Sequence, residues 1–441
     1  MSMTCMQERP EYMETPVSKK DRRWLYVTMP ANIALGPAST FIALYILGLG
    51  GNVIEVSYAI TLGYLVVIPA SYMWGKVSDL YNNRKAQIFI SYAGTAAGLG
   101  MIYFTQQIYL VIGLYGAIFF FRSAKNAPLN LLVMETGSKG TWAKGFSKYQ
   151  MIMGIGTSLG LALSAVIAGL SLLRYLMLLL AGASAISAVL ALRYVKGSGK
   201  SMRSTALLKD MALMFSRMMV EPILPLRTAS PKMLRRWLSR YVALKKVSRS
   251  YVSMIFAGSF VFFLGTSLFN TVYAAGLDSR GLPGSQIFVI FFIAQLVQTY
   301  AFIYAGRRLA KDSKKWLTSR SLVLRGLSYA LIGITFFVLA GTQFFGVDLI
   351  LYLLAGGLAY SLYTVASNTL LFEAMNKIHR GTTLGMFSAV TGVAMLAGAL
   401  ASGYLAYYIG YGYVFMAAGA LMLLASAMFA YLPKRMNIVF S

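Results

Sequence analysis

Three residues in one apolar stretch carry the clearest chemistry in this chain. Arg122, Lys125 and Asn126 lie three and four positions apart, so on a helix they share one face. An arginine at the centre of a bilayer costs roughly 2.5–3.5 kcal/mol even on the milder insertion scale, so it belongs against a wet cavity or a partner. A guanidinium held there can neutralise a carboxylate or a phosphate. Lys125 sits nearer the end of the stretch, where a long stem also lets the ammonium snorkel towards water.

Other polar residues fall inside apolar runs: Asn32, Gln150, Asn270, Gln295 and Gln298. Gln295 and Gln298 are three apart and face together, while Asn32 sits among Pro30, Gly36 and Pro37, which bend a helix and free backbone carbonyls. Each of these amides is open to substrate contact or to helix-to-helix hydrogen bonding. Carboxylates are expected only at span ends, with Glu55 and Asp348 on the outer side and Glu135 and Glu373 on the inner side. A midplane carboxylate that takes and releases a proton is therefore not expected, which favours an anionic or neutral substrate over a cationic drug. Cys5 is the only cysteine and His379, the only histidine, falls in a polar loop, so neither a disulfide nor a metal cluster is expected. With no nucleophile–base set and no phosphate-cradling loop, neither enzymatic activity nor a cofactor is expected.

The elements that must position these side chains are membrane spans. The chain is 58% hydrophobic and 12% charged, with a mean hydropathy of +0.65. Apolar runs of about 20 residues or more occur near 25–48, 55–74, 86–106, 108–134, 143–170 and 173–195. A second set follows near 251–275, 285–305, 318–341, 347–372, 382–409 and 411–432. The net charge of +27 comes from basic residues in the polar loops, which points to membrane topology and not to nucleic acid. Lys76, Arg84, Lys85, Lys139, Lys144, Arg307, Arg308, Lys377 and Arg380 fall on one side, with both chain ends, so the termini are expected in the cytoplasm of a cell-membrane protein. The first residues (1–24) are a polar segment without an apolar core, so the first span is expected to direct insertion. Residues 25–195 and 251–433 form two expected six-helix bundles, and 434–441 is a cytoplasmic tail. Between the bundles, 196–250 carries thirteen Lys/Arg against Asp210 and Glu221. Ser230-Pro231 opens a stripe of Leu234, Trp237, Leu238, Tyr241 and Leu244, an interfacial helix drawn to anionic headgroups.

The two bundles repeat one another. Asn130-Leu131-Leu132-Val133-Met134-Glu135 recurs 238 residues later as Asn368-Thr369-Leu370-Leu371-Phe372-Glu373. Small residues follow each copy at every fourth position: Gly156, Gly160, Ser164 and Ala168, then Ala394, Gly398, Ser402 and Ala406. Such a face lets membrane helices approach closely. Two parallel copies, related by an axis along the membrane normal, place a transport site between the halves. Tyr360 and Tyr363 stand where Arg122 and Lys125 stand in the first copy, which makes them candidates for the same site.

Gly75-Lys76-Val77-Ser78-Asp79-Leu80-Tyr81-Asn82-Asn83-Arg84-Lys85, between spans two and three, resembles the signature loop of the major facilitator superfamily. Gly75, Ser78, Asp79 and Arg84 match, while Leu80 replaces a basic residue and Asn82 a glycine. The resemblance implies an all-α fold of twelve transmembrane helices in two six-helix bundles, and a secondary transporter that works by rocker-switch alternating access. It implies a conformational latch of Gly75, Asp79, Arg84, Glu135 and Glu373; the expected substrate site is drawn from the polar residues within the spans and their repeat equivalents, Arg122, Lys125, Asn126, Asn32, Gln150, Asn270, Gln295, Gln298, Tyr360 and Tyr363. The favoured cargo is a small organic anion or neutral metabolite, with a coupling proton or ion as a further partner and a monomer as the working unit. A proton-coupled exporter of hydrophobic compounds, and a non-transporting sensor of the same fold, stand as alternatives.

Overall fold

The computed structural model describes residues 24–81, 83–135, 142–170, 172–195, 251–309, 313–339, 341–374 and 380–432. The expected N-terminal segment, the 196–250 linker with its interfacial helix, His379 and the C-terminal tail lie outside those residues, as do the side chains of Asp79, Asn130 and Glu135.

The described secondary structure is helical, and it makes twelve traverses. The first is α1 (Trp24–Leu35) and α2 (Ala38–Gly48), followed by α3 (Val53–Tyr81) and α4 (Arg84–Phe104). The fourth is α5 (Ile108–Ser123) and α6 (Asn126–Glu135), followed by α7 (Trp142–Gly169) and α8 (Leu173–Tyr194). The second half holds α9 (Tyr251–Ser279), α10 (Gly284–Leu309), α11 (Lys314–Val338), α12 (Gly341–Tyr352), a π-helical stretch Leu353–Ala359, α13 (Tyr360–Ala374), α14 (Arg380–Ile409) and α15 (Tyr411–Ala430). Eleven of the traverses are long and apolar enough to cross a membrane by composition. The twelfth, α4, is 21 residues long and buries Gln87, Ser91 and Thr95 against its neighbours, which lowers its apolar character. Chain entry at Trp24, the α3–α4 turn and the start of α9 lie on one face, the basic face. The α2–α3, α9–α10 and α14–α15 turns lie on the opposite, far face.

Each broken traverse has a local cause. Pro37 follows Gly36 and precedes α2, where its missing N–H is no loss. Pro128 lies in the first turn of α6, and its ring would strike the carbonyl of Ala124, so the helix ends at Ser123 and restarts beyond Lys125. In the tenth traverse the π-helical stretch contains Gly356 and Gly357; a Cβ on Gly357 would come within 2.9 Å of Val297 and 3.2 Å of the Ala294 carbonyl of α10. Only a glycine backbone packs that closely.

The repeat seen in the sequence is also a repeat in space. In the first half α7 lies on α1, where a Cβ on Gly156 would meet the Met29 carbonyl at 2.6 Å and one on Gly160 would overlap the Ile33 carbonyl. In the second half α14 lies on α9, where a Cβ on Gly398 would meet the Leu264 carbonyl at 2.5 Å. Thus the small-residue faces are the seams between traverses five and one and between eleven and seven. Within each half the remaining seams are tight as well: Ser184 and Ser187 of α8 donate to the Tyr92 and Val27 carbonyls at 2.9 and 2.7 Å, and Ser319 and Ser426 tie α11 to α15 at 2.8 Å. Large apolar side chains such as Phe104, Val189 and Tyr408 stay exposed on the periphery, as a lipid-facing surface requires.

Candidate functional site

Two long seams join the halves, α7 against α10 and α3 against α14. Along the first, Gly284 approaches Ala168 near the far face and Gly154 approaches Thr299 at mid-depth. Along the second, the hydroxyls of Tyr58 and Tyr404 share a 2.5 Å hydrogen bond, Gly403 rests on Ser57, and Gly392 meets Ile68 at mid-depth. Close inter-half contact thus runs from the far face to the middle of the membrane.

A cavity of about 100 Å³ lies in this interface. Its polar lining is Ser39 and Thr40 from α2, Thr157 from α7, Gln295 and Gln298 from α10, and Tyr352 at the end of α12. Gly36 and Gly356 contribute bare backbone, and both sit where a traverse is broken. Among the described residues, none of the six polar side chains has a hydrogen-bond partner. Thr40 and Tyr352 are buried, Thr157, Gln295 and Gln298 are half-buried and Ser39 is exposed, so polar groups free to bond converge on one void of a size for a small molecule.

Of the residues singled out in the sequence, Gln295 and Gln298 line this cavity together. Arg122 ends α5 with its guanidinium 5.4 Å from the Phe119 ring, and Lys125 occupies the α5–α6 turn, buried, with its ammonium 5.1 Å from the Tyr92 ring. Asn126 is exposed at the start of α6. Asn32 is buried in the α1–α7 seam, where its amide donates to the Thr28 carbonyl at 2.7 Å. Gln150 and Asn270 are exposed on α7 and α9 and do not reach the cavity. Tyr363 is buried and stacks on Phe262 at 3.7 Å. Tyr360 lies under a guanidinium that the sequence reading passed over, that of Arg325. Among the latch residues, Gly75 borders open space, Arg84 is buried at the start of α4, and Glu373 pairs with Lys314 of α11.

Arg325 is 2% exposed on α11. Its Nε and Nη2 donate to the Tyr329 hydroxyl at 3.0 and 2.6 Å, and its guanidinium packs on Phe262, Tyr329 and Tyr360. Nη1 has no partner. Arg325 stands in the ninth apolar run as openly as Arg122 stands in the fourth, so the same reading would have found it. Tyr64 of α3 packs edge-on against Phe119, the ring beside Arg122.

Asp348 departs from the sequence expectation. The helix begins at Gly341 and not near 347, so Asp348 lies two turns inside α12, fully buried, and accepts a 2.5 Å hydrogen bond from the Tyr273 hydroxyl. The described carboxylates are then Glu55, which caps the start of α3, Asp278, which is exposed at the end of α9, Glu373, and Asp348. None of the four pairs with Arg122, Lys125 or Arg325.

A search of curated protein sequences finds no match. Solved structures match in fold over nearly the whole chain. A transporter of the POT family in complex with a thioalcohol-conjugated peptide is 14% identical with a TM-score of 0.71, over 92% of this chain and 94% of its own. The nucleoside transporter NupG is 14% identical with a TM-score of 0.70, over 94% and 100%. A structure from work on proton-dependent oligopeptide transporters is 11% identical with a TM-score of 0.69, over 94% and 98%. The sequence model of the Major Facilitator Superfamily matches residues 26–385 and, in an overlapping second match, 255–437. With twelve traverses, a duplicated seam and a cavity between the halves, the chain belongs to the Major Facilitator Superfamily and is a membrane transporter of that type.

Proposed function

We propose that this transporter carries a small, polar, hydrogen-bonding solute, neutral or anionic, in the cavity between its halves. The observation that carries this reading is the convergence of Ser39, Thr40, Thr157, Gln295, Gln298 and Tyr352 without partners of their own. Amides and hydroxyls offer both donors and acceptors, which suits a cargo with several polar groups and no obligatory charge. Arg122 and Lys125, without a described carboxylate partner, supply the attraction for an anionic group on the basic-face side of the cavity. The fold neighbours include peptide and nucleoside transporters, whose cargoes share this density of hydrogen-bonding groups.

In this reading the basic face is cytoplasmic, both termini lie there, and the seams at the far face close the site from outside in a rocker-switch cycle. The 196–250 linker rests on anionic headgroups of the plasma membrane.

Thermal-shift titration of the purified protein with uridine, glycylglycine and succinate tests the site. Removing one hydrogen-bonding side chain costs about 1 kcal/mol, so Gln298→Ala should weaken whichever ligand binds roughly fivefold, and Gln295→Ala similarly. Arg122→Ala should weaken succinate and leave a neutral ligand unchanged. Full affinity in both Gln variants would remove the cavity from the binding site.

A further inference from the structure

The break in the first traverse leaves a helix start in the middle of the membrane. Twelve residues of α1 precede Gly36-Pro37 and eleven of α2 follow it. No side chain caps α2. Its first N–H to meet a carbonyl is that of Phe41, which donates to Pro37 at 2.8 Å, while Gly36 and Pro37 form a bend that closes no turn. The N–H groups of Ala38, Ser39 and Thr40 therefore have no acceptor among the described residues. At this depth unmatched backbone groups are tolerated only where they line a cavity. Gly36, Ser39 and Thr40 do line one, the cavity between the halves.

Hydroxyls gather around this helix start. Thr40 is 4% exposed and Tyr352 8%, and both turn an unpartnered hydroxyl to the cavity. Thr157 of α7 stands against Gly36, where an added Cβ would come within 2.8 Å of its Cγ2. Each hydroxyl can donate, and a helix start carries about half a positive charge. No acidic side chain answers it: Glu55, Asp278 and Glu373 lie at helix ends, and Asp348 accepts from Tyr273 outside the cavity lining. The end of α1, where the partial charge is negative, is turned elsewhere. None of its residues lines the cavity, and the Ile33 carbonyl abuts Gly160 of α7. From the second half come the neutral amides of Gln295 and Gln298. The cavity is thus polarised, with a positive helix start in one half and uncharged amides in the other.

We propose that the cavity takes a small carboxylate, its charged group on the start of α2 and a neutral hydrogen-bonding end on Gln295 and Gln298. The N–H groups of Ser39 and Thr40 and the Thr40 hydroxyl meet the carboxylate oxygens, as helix starts meet anions. Arg122 then acts at longer range, drawing the anion in. A cavity of about 100 Å³ has the volume of roughly three waters at ~30 Å³ each, which suits a short hydroxy acid. This inference rests on the cavity reading above and names the charged group of its cargo.

Calorimetric titration of the purified protein with glycolate and with glycolamide, its uncharged isostere, tests the assignment. Wild type should prefer glycolate at least about tenfold, the size of a charge-assisted hydrogen bond. Thr40→Val keeps the side-chain shape, removes the hydroxyl and should cut that preference roughly tenfold. Ser39→Asp gives the helix start a carboxylate of its own, which the fold accepts because an acid is stabilising there, and should reverse the preference. Equal affinity of wild type for the two ligands, or no binding of glycolate, overturns the proposal. So does a preference that stands in both variants, and one lost in Arg122→Ala alone would place the carboxylate at Arg122 instead. Gln298→Ala separates this inference from the reading beneath it, because it should weaken both ligands alike. Full affinity for both in that variant overturns the cavity reading and the inference with it. A common loss there, with the preference untouched in Thr40→Val and Ser39→Asp, overturns the inference alone.

Discussion

Gly403→Val is expected to open the far side of the transporter. In the structure a Cβ at this position would overlap the Ser57 hydroxyl, lie 2.5 Å from the Ser57 Cβ and reach the Val53 carbonyl at 3.0 Å. Ser57 and Val53 belong to α3, in the other half, so the collision exists only while the halves are closed on this side. The next residue, Tyr404, makes the hydrogen bond to Tyr58, which leaves little room for α14 to slide along α3. Overpacking a seam of this kind costs about 1–3 kcal/mol. At 1.4 kcal/mol per tenfold, the closed population should fall roughly 5- to 100-fold, with no comparable loss of the fold within either half. Spin labels at Asn52→Cys and Ile409→Cys, in a Cys5→Ser background, report the separation across the far face. Wild type should show a short distance, Gly403→Val a longer one, and Ser57→Gly should restore part of the short population. A folded Gly403→Val protein with the wild-type distance distribution would mean that the seam is not a closing surface.

The second large effect is expected inside a half. At Gly160 a Cβ would overlap the Ile33 carbonyl and stand 2.9 Å from the Ile33 carbonyl carbon and Cα, so backbone meets backbone and no side chain can turn away. Gly160→Val should destabilise by about 3 kcal/mol or more, seen as loss of monodisperse protein after extraction or a marked fall in Tm. Gly398→Val, facing the Leu264 carbonyl in the second copy, should do the same. Gly182 on α8 has open space around the added Cβ, so Gly182→Ala should be neutral or raise stability by up to about 1 kcal/mol. Equal tolerance at Gly160 and Gly182 would show that the small-residue face does not set the distance between α7 and α1.

These two glycines show why one seam is architecture and the other is conformation. Gly160 and Gly398 join helices of the same half, so in the proposed rocker-switch cycle, where each half moves as a body, their contacts persist. Gly403 joins different halves, and in that proposed cycle its contact breaks. In the sequence all three are glycines within apolar runs. The duplicated spacing distinguishes Gly160 and Gly398 as a pair, while nothing in the chain marks Gly403 as facing Ser57.

The traverses, the parallel repeat and the family were legible in the sequence because each rests on a local or periodic property. A bilayer demands about 20 apolar residues per crossing, basic residues collect on one side, and a close helix seam demands small residues at every fourth position. Helix periodicity also paired Gln295 with Gln298, which share a face and do line the cavity. It could not show which face meets another helix. Asn32 and Gln150 look alike as isolated amides in apolar runs, yet one is bonded to Thr28 in a seam and the other lies exposed. Thr157 follows Gly156 in the small-residue run and carries no mark of its own in the sequence, yet it lines the cavity, packed against Gly36. Asp348 reads as a span end because the residues before it are weakly apolar; α12 nevertheless starts seven residues earlier and carries it under Tyr273. The sequence by itself determined how many helices cross the membrane, which helices are copies and where close packing is obligatory. Only the tertiary structure decided which polar groups face a void, which face one another and which carboxyl is shut away, because those depend on the neighbour opposite a helix face and not on the helix itself.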